Sequence, residues 1–293
     1  MQYLISQIIN GLSLGCVYAL IALGFGMVYG VLKQLNFAHS EVFAVGTLTA
    51  WWTTSRMTEA CPGAPWLVIF VSIVAAAGAS AILALLLEAL AYRPLRDEPK
   101  TTVLLTAIGV SVILQNFGIA ILGAQTRGFV SLDLTISPKL FATAILIASF
   151  LGVRLLLYRS VFGIAMRAVA EDRETAELMG LRPNLYIAVA FAVGGACAGV
   201  AGVVWGISYG TFHPQMGFVP GIKAFVVAVV GGIGSLQGTF LCGVALGLFE
   251  CLVAAYIPSE LSGYRDGIVL SGLTLFLVAR PSGLFGRSGP PKV

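Results

Sequence analysis

The chain has 293 residues, of which 17 are Lys or Arg and 13 are Asp or Glu. Only 10% of its residues are charged and 58% are hydrophobic, and the mean hydropathy is +0.95. A soluble globule cannot cover its surface from this composition, and a disordered chain lacks so many apolar side chains, so both classes are excluded. The net charge of +4 comes with no basic stripe interleaved with aromatics, which excludes nucleic acid as a partner.

What remains is an integral membrane protein. The stretches 1–32, 60–87, 101–126, 183–222, 224–249 and 267–279 carry no Asp, Glu, Lys or Arg. Most of them reach the roughly 20 apolar residues that cross a bilayer as a helix. In chain order the predicted spans are 3–31, 42–54, 65–92, 101–122, 140–158 and 185–209. A hairpin-like stretch follows over 220–256, interrupted by Gly231-Gly232-Ile233-Gly234-Ser235, and a last span covers 267–278. The glycine break is either a tight turn between two crossings or a re-entrant break buried in protein. The fold class is therefore all-α and polytopic, with about eight transmembrane helices (seven to nine). The N-terminus has no basic n-region and too long an apolar run for a cleaved signal, so it reads as the first span.

Lys and Arg in short loops set the orientation. Arg93, Arg96 and Lys100 share one loop. Arg154, Arg159, Arg167, Arg173 and Arg182 flank or occupy a second, and Arg280, Arg287 and Lys292 lie in the tail. All three regions are expected on the cytoplasmic side, with loops 55–64 and 124–138 outside. Glycine is in surplus, at 35 residues. Glycines at four-residue spacing (Gly11/Gly15, Gly26/Gly30, Gly195/Gly199, Gly202/Gly206/Gly210 and Gly243/Gly247) predict closely approaching helices. The five cysteines have neither CxxC nor metal spacing.

Three features could carry chemistry. The segment 159–184 concentrates Arg167, Glu171, Asp172, Arg173, Glu174, Glu177 and Arg182. Met166, Val169, Ala176 and Met179 would give short helices an apolar side there. Asp172 is placed to cap the second helix and Gly180 to end it, before Pro183. The pattern describes an ordered, exposed cytoplasmic loop, either a plain connector or a docking element for a partner. The run Asn36-Phe37-Ala38-His39-Ser40-Glu41 lies between two apolar spans. It is either a helix start near the interface, with an acidic first turn, or part of a substrate path or gate. Lys223 and Glu250 have opposite signs in the glycine-broken stretch and pair structurally or line a polar path. Glu88 is expected to meet Arg93. Walker A, HExxH and nucleophile-elbow motifs are missing, so this chain offers no ATPase site and no cofactor site of its own.

At this level the letters become specific. The run Asn10-Gly11-Leu12-Ser13-Leu14-Gly15 through Gly24, then Met27-Val28-Tyr29-Gly30 and Asn36-Phe37-Ala38-His39 with Glu41, resembles the opening of LivH-type permeases. Those are membrane subunits of bacterial ATP-binding-cassette importers for branched-chain amino acids. The likeness continues at Tyr92-Arg93-Pro94-Leu95-Arg96, Leu114-Gln115-Asn116, Arg167 to Leu181, Lys223-Ala224-Phe225, Gly231 to Ser235 and Pro281-Ser282-Gly283. Ser40 departs from a glycine common in the family.

The resemblance implies one transmembrane permease domain over 1–293, in the bacterial inner membrane. It implies that 159–184 is a cytoplasmic coupling loop, with Arg167, Glu171, Asp172, Ala176 and Gly180 at the ATPase contact. The implied partners are a second, homologous permease, two ATP-binding subunits that hold ATP and Mg, and a periplasmic binding protein. Asn36, His39, Glu41 and Lys223 are the candidate residues of the path or gate. The implied cargo is a branched-chain or related amino acid; urea, short amides and aromatic acids are the alternatives within the same architecture. An ion-coupled secondary transporter and an intramembrane hydrolase using Ser235 with His39 or His213 are the rivals outside it.

Overall fold

A computed structural model describes residues 2–96, 98–130, 132, 137–232, 234–280 and 283–285. Arg287 and Lys292 of the predicted basic tail, and Ile233, Pro281 and Ser282 of the motifs, lie outside the described residues. The helices in chain order are α1 Gln2–Leu32, α2 His39–Ala60, α3 Pro65–Leu87, α4 Lys100–Leu122, α5 Pro138–Arg159, α6 Val161–Glu171, α7 Arg173–Leu178, α8 Pro183–Tyr209, α9 Phe218–Val230, α10 Leu236–Tyr256 and α11 Arg265–Ala279. A π-helical turn, Glu88–Tyr92, extends α3, and a 3-10 turn, Ser259–Tyr264, precedes α11. Among the described residues seven helices are long and apolar enough to cross a membrane: α1, α3 with its extension, α4, α5, α8, α10, and α11 with its preceding turn.

Outside those seven is α2, although it has 22 residues, because it is rich in Thr and Ser. Most of those hydroxyls bond back onto the helix, and Thr53 and Thr54 also meet Ser72 of α3. Thr47 donates to Phe43 O at 3.0 Å, Thr49 to Val45 O at 2.8 Å, and Ser55 to Trp51 O at 2.8 Å. Back-bonding of this kind lets a polar sequence sit inside a bundle without unpaired donors. Also outside is α9, with only 13 residues.

At the centre of the bundle α1 packs mainly on α10, α8 and α9. The α1–α10 contact uses the predicted four-residue glycines. A Cβ added at Gly15 would fall 2.6 Å from Val244 Cα, and one added at Gly243 would fall 2.6 Å from Ala19 Cα. The two backbones therefore touch, which lets dispersion contacts replace the hydrophobic drive that lipid cannot supply. The Gly26/Gly30 pair does not act this way: Gly30 has open space around its Cα.

Several links collect at one end of the bundle. The Tyr92 hydroxyl donates to Asn36 Oδ1 at 2.8 Å, joining the α1–α2 linker to the end of α3. Arg96 donates to Asn184 at the start of α8. Leu284 N–H donates to Val230 O at 2.8 Å, so the chain after α11 lies beside the α9–α10 turn. That turn answers the question left open at Gly231–Ser235: it is a tight turn at the end of the bundle. Ser235 caps α10 by accepting Gly238 N–H at 3.2 Å, and Gly234 takes a φ of +91°.

The irregular backbone at depth lies elsewhere. His39 opens α2 against Gly24, two turns short of the end of α1, or roughly 12 Å inside it. Gly217 and Gly221 pack on Ser40, so α9 also begins at that depth. The non-helical residues 213–217 lead down to it from a short strand, Thr211–Phe212, that pairs with Arg127–Gly128 at the opposite end. Two helices thus start inside the bundle and face each other at Ser40.

Candidate functional site

The predicted polar loop is two short helices. Ser160 caps α6 by accepting Gly163 N–H at 3.1 Å, and Asp172 caps α7 by accepting Thr175 N–H at 3.1 Å. The Thr175 hydroxyl adds a second bond to Asp172 at 2.6 Å. These side-chain and backbone bonds hold the Asp172 carboxyl below the usual carboxylate range. Gly180 ends the element with a φ of +84°, donating its N–H to Glu177 O. Met166, Val169 and Ala176 face the core, as their spacing implied. Met179 does not: it is 79% exposed, and Leu178 beside it is 88% exposed. The reason is geometric, since α7 ends at Leu178 and the helical face that carries Ala176 stops there. Arg167, though exposed, donates to Leu157 O and stacks over Tyr158, 5.3 Å from the ring centre.

The second centre surrounds residues 36–41. Asn36, His39 and Glu41 are all buried, so the interface position considered for His39 and Glu41 is overturned by the packing of α9 and α8 around the start of α2. A side-chain cap at the α2 start is also absent: Ala38 occupies the cap position. Glu41 Oε1 accepts from Gln115 Nε2 at 2.9 Å, Ser111 Oγ at 3.2 Å and Ser40 Oγ at 3.2 Å. Among the described residues no Lys, Arg or His lies within ion-pair distance of it. Asn36 Nδ2, His39 Nε2 and Gln34 Oε1 are buried without a hydrogen-bond partner in the chain. Native interiors rarely leave such atoms alone, and three in six residues of sequence call for a role.

The third centre is an ion network where α9 and α10 meet the start of α11. Lys223 Nζ on α9 lies 2.9 Å from Glu250 Oε1 and 2.8 Å from Asp266 Oδ1. Arg265 reaches the same Glu250 oxygen at 2.5 Å, and the Tyr18 hydroxyl donates to Glu250 Oε2 at 3.0 Å. Two cations meet two carboxylates, so the group is formally neutral. The expected Lys223–Glu250 pair is present, but α11 and α1 complete it. The expected Glu88–Arg93 pair is likewise widened, because Arg96 also contacts Glu88.

The four candidate path residues thus fall in two places. Asn36, His39 and Glu41 share the α1–α2 region, whereas Lys223 belongs to the network. An aromatic group lies between: Phe25 meets His39 at 4.8 Å, and Phe225 meets Phe37 at 5.5 Å. Sequence reasoning missed Ser111, Gln115, Tyr18, Arg265 and Asp266 as members of these centres. Neutral Ser and Gln in an apolar helix carry no signal alone. The adjacent Arg265 and Asp266 were readable as charges beside a span. The five cysteines are free. Ser235 is committed to its cap, and His213 Nδ1 accepts Gln215 N–H at 3.2 Å, which leaves neither arranged as a catalytic pair.

Long apolar helices, carboxylates buried among them and a polar linker folded into capped helices define the chain as a polytopic α-helical membrane protein. It belongs to the family described as branched-chain amino acid transport system, permease component, whose profile matches residues 7–279. The LivH permease protein of the high-affinity branched-chain amino acid transport system of Escherichia coli K12 is 35% identical, over 99% of this chain and 98% of that protein. BraD of Pseudomonas aeruginosa, of the same description, is 35% identical over the same shares. Among solved structures, PsaBC from Streptococcus pneumoniae in complex with Fab aligns over 92% of this chain and 90% of that one. Its TM-score is 0.47 at 11% identity, too low to argue a shared fold.

Proposed function

We propose that the chain, as one permease domain over residues 1–293, is a membrane-spanning half of an ATP-binding-cassette importer in a bacterial inner membrane. Its cargo is a branched-chain or related amino acid, in keeping with what the LivH and BraD relatives are named for. It works with a second permease, a periplasmic binding protein and two ATP-binding subunits that supply ATP and Mg. The basic loops and α6–α7 face the cytoplasm. ATP binding and release in the partners move α6–α7, and the bundle exposes its path alternately to the two sides.

The observation that carries this reading is the face of α7. A helix of six residues is too short to be stable alone, yet it is capped at both ends and anchored by buried Ala176. It presents Leu178 and Met179 to water beside Arg173, Glu174 and Glu177. Two large apolar side chains held exposed on an ordered element suit a partner's cleft. Arg167, Glu171, Asp172 and Gly180 are its frame. Asn36, His39, Glu41 and Lys223 are assigned to the path or its gate. The unpartnered Asn36 and His39 atoms are groups that a polar cargo or water would satisfy, and the Glu41 carboxyl beside them is held by neutral donors alone.

The test is the double substitution Leu178→Asp with Met179→Ser in the assembled importer. Membrane insertion should be normal, while retention of the ATP-binding subunits and uptake each fall about tenfold or more. Wild-type uptake in that variant would remove α7 from the partner contact. Reversal of both Glu171 and Asp172 to Lys should leave ATP hydrolysis running without uptake.

A further inference from the structure

A cavity of about 480 Å³ opens at the end of the bundle away from α6–α7, between the starts of α1 and α5 and the end of α8. Gln2, Ser6, Asn10 and Lys139 supply its polar wall, and Ile5 and Ile207 its apolar wall. Lys139 is the second residue of α5, and Nζ donates to Asn10 Oδ1 at 2.6 Å. Among the described residues no carboxylate lies within ion-pair distance of it. An ammonium has three donors, so two remain for an oxyanion in the cavity. The mouth lies beside an apolar face of α1, where Tyr3 is 58% and Ile5 52% exposed. Trp66, 45% exposed and in edge contact with Phe141 of α5 at 5.0 Å, marks the same end as a membrane interface.

We propose that this cavity binds the phosphate headgroup of an anionic phospholipid. Lys139 takes the phosphate oxyanion, Asn10 holds the ammonium in place, and Ser6 and Gln2 are within the wall for the remaining headgroup oxygens. The acyl chains run out over Ile5 and the exposed face of α1. The amphiphile is favoured over a free anion by the wall itself, which sets the Lys139 ammonium, held by the neutral Asn10, beside apolar side chains that continue onto the exposed first turns of α1. The assignment rests on the cavity and does not depend on which cargo the importer carries.

The test is native mass spectrometry of the full-length detergent-solubilised chain with equal phosphatidylglycerol and phosphatidylethanolamine. The wild type should retain phosphatidylglycerol preferentially. Lys139→Gln should lower that preference about fivefold, the share of one interfacial basic residue, and Lys139→Arg should keep it. Ile207→Trp keeps the charge and fills the cavity, so it should also abolish the preference even if Lys139→Gln proves too poorly folded to read. Equal retention of the two lipids by the wild type, or a preference untouched by Lys139→Gln and Ile207→Trp, would overturn the proposal. So would displacement of the lipid by inorganic phosphate, which would make the cavity a site for a free anion, or by millimolar leucine, which would make it a site for a zwitterionic amino acid.

Discussion

Glu250 and Glu41 are both buried carboxyls inside the helical bundle, and their surroundings differ in kind. Glu250 is gripped by Lys223, Arg265 and Tyr18, with Asp266 balancing the second cation. Glu41 has only neutral donors, Ser40, Ser111 and Gln115. A buried charge is costly, and a partnered network cancels most of that cost at the expense of being able to bind anything else. A carboxyl held by hydroxyl and amide groups keeps its attraction for a cation or polar cargo. The network ties α9, α10 and α11 together, whereas the Glu41 carboxyl keeps the freedom that the proposed role in the path requires. Lys223 is the member of the proposed path set that this contrast puts at most risk.

The largest effect is expected where the network loses one member. Lys223→Met leaves two carboxylates facing one arginine and should destabilise the protein by about 3–5 kcal/mol, read as thermal retention of the folded monomer in detergent. The double variant Lys223→Met with Glu250→Gln removes charge from both sides and should recover about 1–3 kcal/mol of that loss through their coupling. If the double variant also restores uptake, Lys223 is structural and leaves the path set. If stability returns and uptake does not, Lys223 touches the cargo and the contrast fails.

Next comes Glu41→Gln. Its amide oxygen can still accept from Gln115 and Ser111, so stability should change by about 1 kcal/mol or less. Uptake should fall about tenfold, because one charge-assisted contact with cargo or water is lost. Normal uptake with unchanged stability would make Glu41 another structural residue.

Much of this arrangement was legible in the sequence, for identifiable reasons. Charge-free runs marked α1, α3, α4, α8, α10 and α11, because a membrane-spanning helix must be apolar along most of its length. The opposite signs of Lys223 and Glu250 foretold their pairing, and Asp172 and Gly180 foretold their caps. The depth at which α2 and α9 start was not legible, because it is set by Gly217 and Gly221 closing on Ser40, a contact between distant segments. Ser111 and Gln115 acquire meaning only when α4 lies against α2. Asp266 and Arg265 belong to the network because α11 returns to α9, which no local pattern encodes.

The smallest effect belongs to a carboxyl outside the bundle altogether. Asp172 caps α7 in water, and bonds from the Thr175 hydroxyl and the Thr175 and Glu174 backbone lower its pKa. Its folded value lies below the unfolded value, so the cap's contribution is fully present above the unfolded pKa near 4 and is lost as pH falls through the folded pKa. Amide exchange in 173–178 should therefore quicken only in acid, below about pH 4, with the rest of the bundle unchanged. Asp172→Asn keeps a cap that does not titrate, so its exchange should be flat through that window. If wild type and Asp172→Asn respond alike to acid, the α7 end is held by Ala176 and the loop's packing alone. The three carboxyls would then differ only in burial, because a hydrogen-bonded carboxyl in water would behave as an unbonded one does. The contrast drawn between Glu250 and Glu41 depends on partners mattering beyond burial, so this exposed case tests it where desolvation is weakest.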